Sequence, residues 1–531
     1  MLRNNNYIYG SNDVMVPGHL NFGHFMMDKC KQFKEIIALQ NADTGETMTY
    51  KQFLQLSVDI ALSLRRMGVK KGDVISICSD KRLEFMPTLL GIMCTGATLF
   101  AATVSCRNER IQRKLELTKP KIIFCSPTAY DIHKDVLKTT GCEKLIIYGD
   151  ESNGELLFKD FLTQHGSVED FLPVAVEGWR DIAVILFSSG TTGLPKPTPL
   201  THLNLISINQ TGVFDHISCG KRILVTREWY YSYGILHTVG ALVAGATVVF
   251  SVKSGLEDYL EIIQKQKVSM LQLVPATLNE IIKSSIVNKY NLSSVEKIIL
   301  TSTPIDGNMV AMARTNLQNL RKVVQMYGMS EAGCLIINDS GMGHKINSAG
   351  TVRAGTIFKV VDIETREPLG PNQRGEICFK SITLMPGYLG DTIFEYIDEE
   401  GFYKSGDVGY YDEDEYFYIV DRIKDMIKYC GASFSPAELE SALMLHPAVK
   451  EVGIGAKPDE KYDQIPIAFV VLKTECNVNE TEIMQYFEEC MPTIKLGGVR
   501  FVSSLPRGAG DKLDRKALKD MLKAVDIFPL K

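Results

Sequence analysis

The sequence predicts an α/β protein: a large N-terminal domain of layered, mainly parallel sheets carrying a small β unit, then a small, mobile α+β C-terminal domain. Three features predict it. Apolar strand-like runs alternate with segments of helical period from Tyr50 onward, which is the pattern of a parallel sheet covered by helices. The 531 residues exceed what one hydrophobic core usually serves. After about Gly350 the helical segments give way to short β-like runs and turns, and the character changes again after Asp421.

In chain order, Leu54, Val58, Ala61, Leu62 and Arg65 follow helical spacing until Gly68 stops the helix, and Val74–Cys78 is an apolar strand. A helix near 84–94, a strand near Thr98–Ala102, a helix near Asn108–Thr118 and strands at 121–125 and 144–148 continue the alternation. The apolar run 182–187 reads as a buried strand that opens a second series. That series holds a strand at 269–274 closed by Pro275, a helix at 276–285, and strands at Lys297–Leu300 and 322–326. Gly375-Glu376-Ile377-Cys378-Phe379 reads as a strand of a small antiparallel unit, with a turn at Leu369-Gly370-Pro371-Asn372. Ser435-Pro436-Ala437-Glu438 is a capping box with proline at the first helical position, opening a helix to about Leu445. Strands at 449–454 and 467–472 and a helix at Glu480–Cys490 complete the last domain. The expected division is 1–421 and 422–531, with the charged segment 421–425 as hinge.

Composition narrows the function. Charged residues make up 23% and hydrophobic ones 45%, with a net charge of −5, so a dedicated nucleic-acid binder is not expected and an anionic ligand must be held locally. Twelve cysteines occur singly, without a C-x-x-C pair, which suits a reducing compartment and neither a disulfide framework nor a zinc site. The start, Met1-Leu2-Arg3-Asn4-Asn5-Asn6, is polar and lacks a signal core, and the apolar stretches 89–104 and 235–252 are short, glycine-broken and read as core, not as an integral membrane segment. The end, Pro529-Leu530-Lys531, lacks the Ser-Lys-Leu peroxisomal address, so a cytoplasmic location is expected.

Chemistry concentrates at strand ends, where ligands of open α/β sheets bind. Ser188, Ser189, Gly190, Thr191, Thr192 and Gly193 follow the 182–187 strand and lead to Lys196. Glycines that turn backbone N–H groups inward, hydroxyls and a cation suit nucleotide phosphates, although the spacing is not Walker A. The bland alternative is a solvated turn. Tyr327-Gly328-Met329-Ser330-Glu331 follows another strand: the glycine allows close approach to a ligand, Tyr327 packs on a flat ring, and Glu331 can hold Mg²⁺ together with phosphate oxygens. Asp407, on the glycine turn Ser405-Gly406-Asp407, suits ribose hydroxyls because a carboxylate only accepts, or else it stabilises its own turn. Arg422 in Asp421-Arg422-Ile423-Lys424-Asp425 is either a ribose or phosphate fork or part of a solvated hinge. Lys512, in a Gly-rich stretch of the last domain, could reach another domain's site or be an ordinary loop residue.

These segments, in this order, resemble the motifs of the adenylate-forming superfamily, and 412–422 is particularly similar to insect luciferases and plant coumarate-CoA ligases. The resemblance implies a two-step reaction with ATP, Mg²⁺ and CoA: a small-molecule carboxylic acid becomes an acyl-adenylate and is then transferred to CoA. It implies that Ser188–Thr192 and Lys196 hold phosphates, that Tyr327 and the backbone near Thr303 hold adenine, that Asp407 and Arg422 hold the ribose, and that Ser302, Pro304, Gln325, Met326 and Ile419 also belong to the cofactor site. It implies Glu331 for the metal and Lys512 for adenylation. Rotation about Lys424 would then bring Lys428 and Gly431 to the CoA step. Departures are Pro197 and Pro199 after the loop lysine, Thr301-Ser302-Thr303-Pro304 where the family carries small residues, and Asp511 before Lys512. The acyl segment Tyr231, Ser232, Tyr233 and Gly234 puts a tyrosine where luciferases carry a histidine, and its aromatic walls favour a hydrophobic or aromatic acid. A luciferase-like oxygenase and a binding protein with impaired chemistry are the alternatives.

Overall fold

A computed structural model of the chain describes residues 6–11, 16–104, 106, 108–151, 154–188, 196–210, 219–301, 305, 307–339, 345, 347–391, 393–430, 432–474, 476, 478–508 and 513–523. Their strands form four sheets. The first has seven strands in the order Lys196–Thr201, Ile182–Ser188, Thr98–Ala102, Val74–Cys78, Ile122–Cys125, Lys144–Ile147 and Leu156–Leu157, parallel except for the first pair. The second has nine strands, and its parallel centre runs Lys322–Met329, Lys297–Leu300, Met270–Leu273, Arg222–Val225, Thr247–Phe250 and Ile37–Asn41. A five-stranded antiparallel unit contains Tyr7–Tyr9, Thr356–Val361, Gly375–Ser381, Tyr403–Tyr411 and Phe417–Arg422. The fourth sheet lies wholly after residue 426, with Val449–Asp459 and Asp463–Leu472 as its long hairpin.

Several boundaries follow directly from local chemistry. Tyr50–Arg66 starts at a closed capping box between Thr49 and Gln52, buries Leu54, Val58 and Ala61, and packs on Phe85–Cys94 at Gly91, where an added Cβ would lie 2.7 Å from Ile60 Cγ2. Pro275 opens the helix Pro275–Lys283 instead of closing a strand, because a first-turn residue needs no N–H. The helix Pro436–Met444 has Ser435 as its N-cap, but the box stays open. Glu438 turns to Arg374 at 2.8 Å, and Asp421 Oδ2 joins the cap instead, accepting from Ser435 Oγ at 2.8 Å and from Ala437 N at 3.3 Å.

Ile182–Ser188, which opens the second series along the chain, does not share a sheet with the rest of that series; it adds to the first sheet, parallel to Thr98–Ala102 with Leu99 opposite Val184. A strand buried on both faces carries the same apolar run whichever sheet receives it, so periodicity cannot assign it. One contiguous apolar core, including Phe22, Phe85, Trp229, Phe358 and Phe417, joins the first two sheets to the β unit, and residues from Ile427 onward have cores around Leu439 and Phe487 and around Phe469 and Leu518. No helix of the described residues is long and apolar enough to cross a membrane.

His202, at the start of His202–Gln210, fastens the first sheet to the N-terminal helix Phe22–Lys31: its Nδ1 accepts from Phe22 N at 3.0 Å. Burial pushes the imidazole down to about 4, with Asp181 opposing and Lys71 reinforcing the shift. The folded state therefore keeps it neutral, while the unfolded chain takes up a proton below pH 6.5. The stabilisation is complete above that pH and is lost as pH falls towards 4, amounting to roughly 3 kcal/mol. Urea unfolding across this window should show stability falling with acid, and His202→Gln should flatten the slope; an unchanged slope would contradict the assignment.

Candidate active site

Two buried carboxylates organise the region where the second sheet meets the β unit. Asp407 sits on Tyr403–Tyr411, directly opposite Arg422 on the neighbouring strand. Its segment is not a turn. The pairing register shifts between Glu376 and Cys378, and Gly406 adopts φ +71°, so Ser405-Gly406-Asp407 forms an irregularity within a strand that aims the acid inward. Asp407 Oδ2 accepts from Tyr327 Oη at 2.7 Å and Oδ1 faces Arg422 Nε at 2.9 Å. Burial, then the Asp407 charge, push the Tyr327 phenol well up, so it remains a donor. Asp407 in turn holds the Arg422 guanidinium above its ordinary value.

Glu331 is 7% exposed and lies just beyond Lys322–Met329. Its Oε1 accepts from Tyr388 Oη at 2.7 Å, and Tyr388 is also 3.2 Å from Tyr403 Oη. Lys196, from the first sheet, brings its Nζ to 4.9 Å from the centre of the Tyr388 ring and 4.8 Å from that of Tyr396, and donates to Tyr396 Oη at 3.1 Å. Ser188 Oγ, directly opposite Lys196 in the hairpin register, is buried without a hydrogen-bond partner among the described residues. Lys196 and Glu331 therefore come together from different sheets. Tyr388, Tyr396 and Tyr403, which join them, carried no motif in the sequence; only their aromatic spacing was visible.

Other expected residues take clear places. Gly328 is required by its own hairpin: an added Cβ would lie 2.0 Å from Gly333 O. Ser330 Oγ lies 2.9 Å from Ser232 Oγ, tying the Glu331 segment to the helix Ser232–Val243. Thr301 donates to Met326 O at 2.9 Å, with Gln325 and Met326 buried beside it. Tyr231 precedes the helix, half-buried, with its ring 4.7 Å from Tyr230. Tyr233 places its hydroxyl near Leu273 O at 3.2 Å and Ile299 O at 3.1 Å, which makes it a closure of the strand ends. Trp229 is core, packed on Phe85 and Phe250. Gly234 admits no side chain, since a Cβ would lie 2.1 Å from Glu228 O. Beside this segment the buried Lys81 meets Glu228 at 3.2 Å and Thr226 O at 3.3 Å, a cross-sheet pair that sequence inspection did not single out. Lys424 and Lys428 lie exposed near the start of the last domain, and Ile419 is half-buried. Ser189, Gly190, Thr191, Thr192, Gly193, Ser302, Thr303, Pro304, Gly431 and Lys512 lie outside the described residues.

The prolines after Lys196 are accommodated by topology. Lys196–Thr201 is an edge strand. Pro197 O accepts from Leu389 N at 3.1 Å, so the side of the strand on which its N–H is missing faces away from the ladder with Ile182–Ser188. Pro199, two residues on, faces the same way.

Residues 27–389 match the AMP-binding enzyme family, and residues 438–512 match the AMP-binding enzyme C-terminal domain. A luciferin 4-monooxygenase of Nipponoluciola cruciata is 33% identical over 92% of this chain and 91% of its own length. 4-Coumarate–CoA ligase 1 of Petroselinum crispum is 31% identical over 97% and 96%. The crystal structure of ATP-bound MatB from Rhodopseudomonas palustris superposes with a TM-score of 0.86 at 22% identity, covering 95% of this chain and 99% of that one.

The Asp407–Arg422 pair is open to a direct check. The guanidinium is 40% exposed, so screening limits the interaction to about 1 kcal/mol. A double-mutant cycle of Asp407→Asn and Arg422→Gln, followed by urea unfolding, should give a coupling energy of that order; additive losses would show that the two act independently.

Proposed function

Because the chain belongs to the adenylate-forming AMP-binding enzymes, we propose that it is an ATP-dependent carboxylic acid:CoA ligase acting on a hydrophobic or aromatic acid. The observation that carries this reading is the meeting of Lys196 and Glu331 beside the Tyr327–Asp407–Arg422 group, a cation and two acids supplied by separate sheets. Identity to coumarate-CoA ligase along nearly the whole chain supports the choice of CoA as acceptor.

In the first step a carboxylate oxygen of the acid attacks the α-phosphorus of ATP, the bond to the β-phosphate oxygen breaks, and pyrophosphate leaves. Lys196 and the segment from Ser188 to Thr192 bind the phosphates, and the unpartnered Ser188 Oγ fits such a ligand. Tyr327 borders adenine, while Asp407 and Arg422 hold the ribose. Glu331 fits Mg²⁺, a hard cation that takes few protein carboxylates and completes its shell with phosphate oxygens and water; bound there it would neutralise phosphate charge. Among the described residues no three His, Cys, Asp or Glu side chains gather as a metal cage, so Glu331 would act with the nucleotide's own oxygens. Lys512 stabilises charge on the reacting phosphate. In the second step the CoA thiolate attacks the acyl carbon and AMP leaves. The domains 1–421 and 422–531 reorient about 421–425, withdrawing Lys512 and presenting Lys428 and Gly431. On either side of the Lys512 segment, Asp514 N donates to Pro506 O at 2.9 Å and Arg515 is forked onto Glu440. The scattered cysteines favour a cytoplasmic site of action.

A second reading, oxygenation of an adenylated luciferin, is favoured by the 33% identity to a luciferin 4-monooxygenase. One experiment separates them. A panel of carboxylic acids, with ATP, Mg²⁺ and with or without CoA, should yield AMP and acyl-CoA from at least one aromatic or long-chain acid, and Lys512→Ala should abolish pyrophosphate release. Light with luciferin would favour the second reading. Nucleotide binding without AMP formation on any acid would leave a binding protein.

A further inference from the structure

The segment Met385-Pro386-Gly387-Tyr388-Leu389 straps together the two halves of the nucleotide reading above. Met385 N donates to Glu331 O at 2.8 Å at one end, and Leu389 N donates to Pro197 O at 3.1 Å at the other. Gly387 takes φ +143°, a conformation side chains rarely adopt, and so turns Tyr388 into the space between these anchors. There the Tyr388 hydroxyl meets the Glu331 carboxylate while its ring meets the Lys196 ammonium.

Proton counting fixes the direction of the network. A carboxylate accepts only, so the single Tyr388 proton is committed to Glu331, and Tyr403 must donate to Tyr388. Tyr396 likewise commits its proton to Asp391 Oδ2 at 3.1 Å, leaving its lone pair for Lys196.

We propose that Tyr388 and Tyr396 are positioning residues for MgATP: Tyr388 fixes Glu331 with its hydroxyl and Lys196 with its ring, and Tyr396 holds Lys196 from the other side. The two roles separate chemically. Tyr388→Phe keeps the ring over Lys196 and frees the metal-side carboxylate, whereas Tyr396→Phe removes an acceptor from the phosphate-side cation.

Calorimetric titration with ATP, in the presence and absence of Mg²⁺, tests this on the intact protein. Tyr388→Phe should weaken MgATP binding roughly tenfold and metal-free ATP by less than about twofold, while Tyr396→Phe should weaken both forms equally, roughly three- to tenfold. Tyr403→Phe, which removes only the donor behind Tyr388, should shift MgATP alone in the same direction by a smaller factor, and it serves if Tyr388→Phe does not fold. Unchanged affinities in these variants, or equal loss of both forms in Tyr388→Phe, would overturn the inference while leaving the nucleotide reading intact. An unmodified protein that binds neither form would overturn both.

Discussion

A carboxylate taken out of water must be given donors, and this chain gives its two central acids tyrosine hydroxyls. The second sheet sends Tyr327 to Asp407 of the β unit, and the segment between strands of the β unit sends Tyr388 to Glu331 at the end of the second sheet. The exchange is reciprocal: each acid takes a hydroxyl from the other layer, and Asp407 has Arg422 of its own layer besides. Leaving either acid unpartnered would cost a few kcal/mol, a large share of the stability of a folded protein. The same contacts that lock the layers together therefore also fix the groups proposed to face the nucleotide.

Charge follows from that arrangement. Arg422 adds a cation to Asp407. Lys196 has no carboxylate within salt-bridge reach among its described contacts, and rests on two aromatic faces and a phenol oxygen. Aromatic faces attract a cation without pairing it with an opposite charge, which suits the phosphate role proposed for Lys196. The first sheet contributes this cation from an edge strand, where two prolines are tolerated and where the strap from Met385 to Leu389 can dock.

Much of this was legible in the sequence. The helices Asn108–Thr118 and Glu480–Cys490 could be placed close to their observed bounds, because helical apolar spacing is regular there. Tyr327, Glu331, Asp407, Arg422 and Lys196 could be named, because each sits in a short hydroxyl, glycine or acid motif near the end of an apolar run. Three things were not legible. Ile182–Ser188 could not be assigned to its sheet, since a doubly buried strand looks alike in either. The close pass of Gly328 to Gly333 could not be seen, since a glycine's neighbour is invisible in one dimension. Tyr388, Tyr396 and Tyr403 looked like ordinary aromatics, since their convergence depends on the Gly387 turn and on a strap between two sheets.

The central claim is that the cation and the acid joined by Tyr388 are the two ends of one MgATP site. The most direct measurement is a crystal structure of the protein with Mg²⁺ and a non-hydrolysable ATP analogue. The expected result is the triphosphate against Lys196, the metal on Glu331 and the adenosine beside Tyr327 and Asp407. A nucleotide bound elsewhere, with Lys196 still enclosed by Tyr388 and Tyr396 and distant from any phosphate, would contradict it.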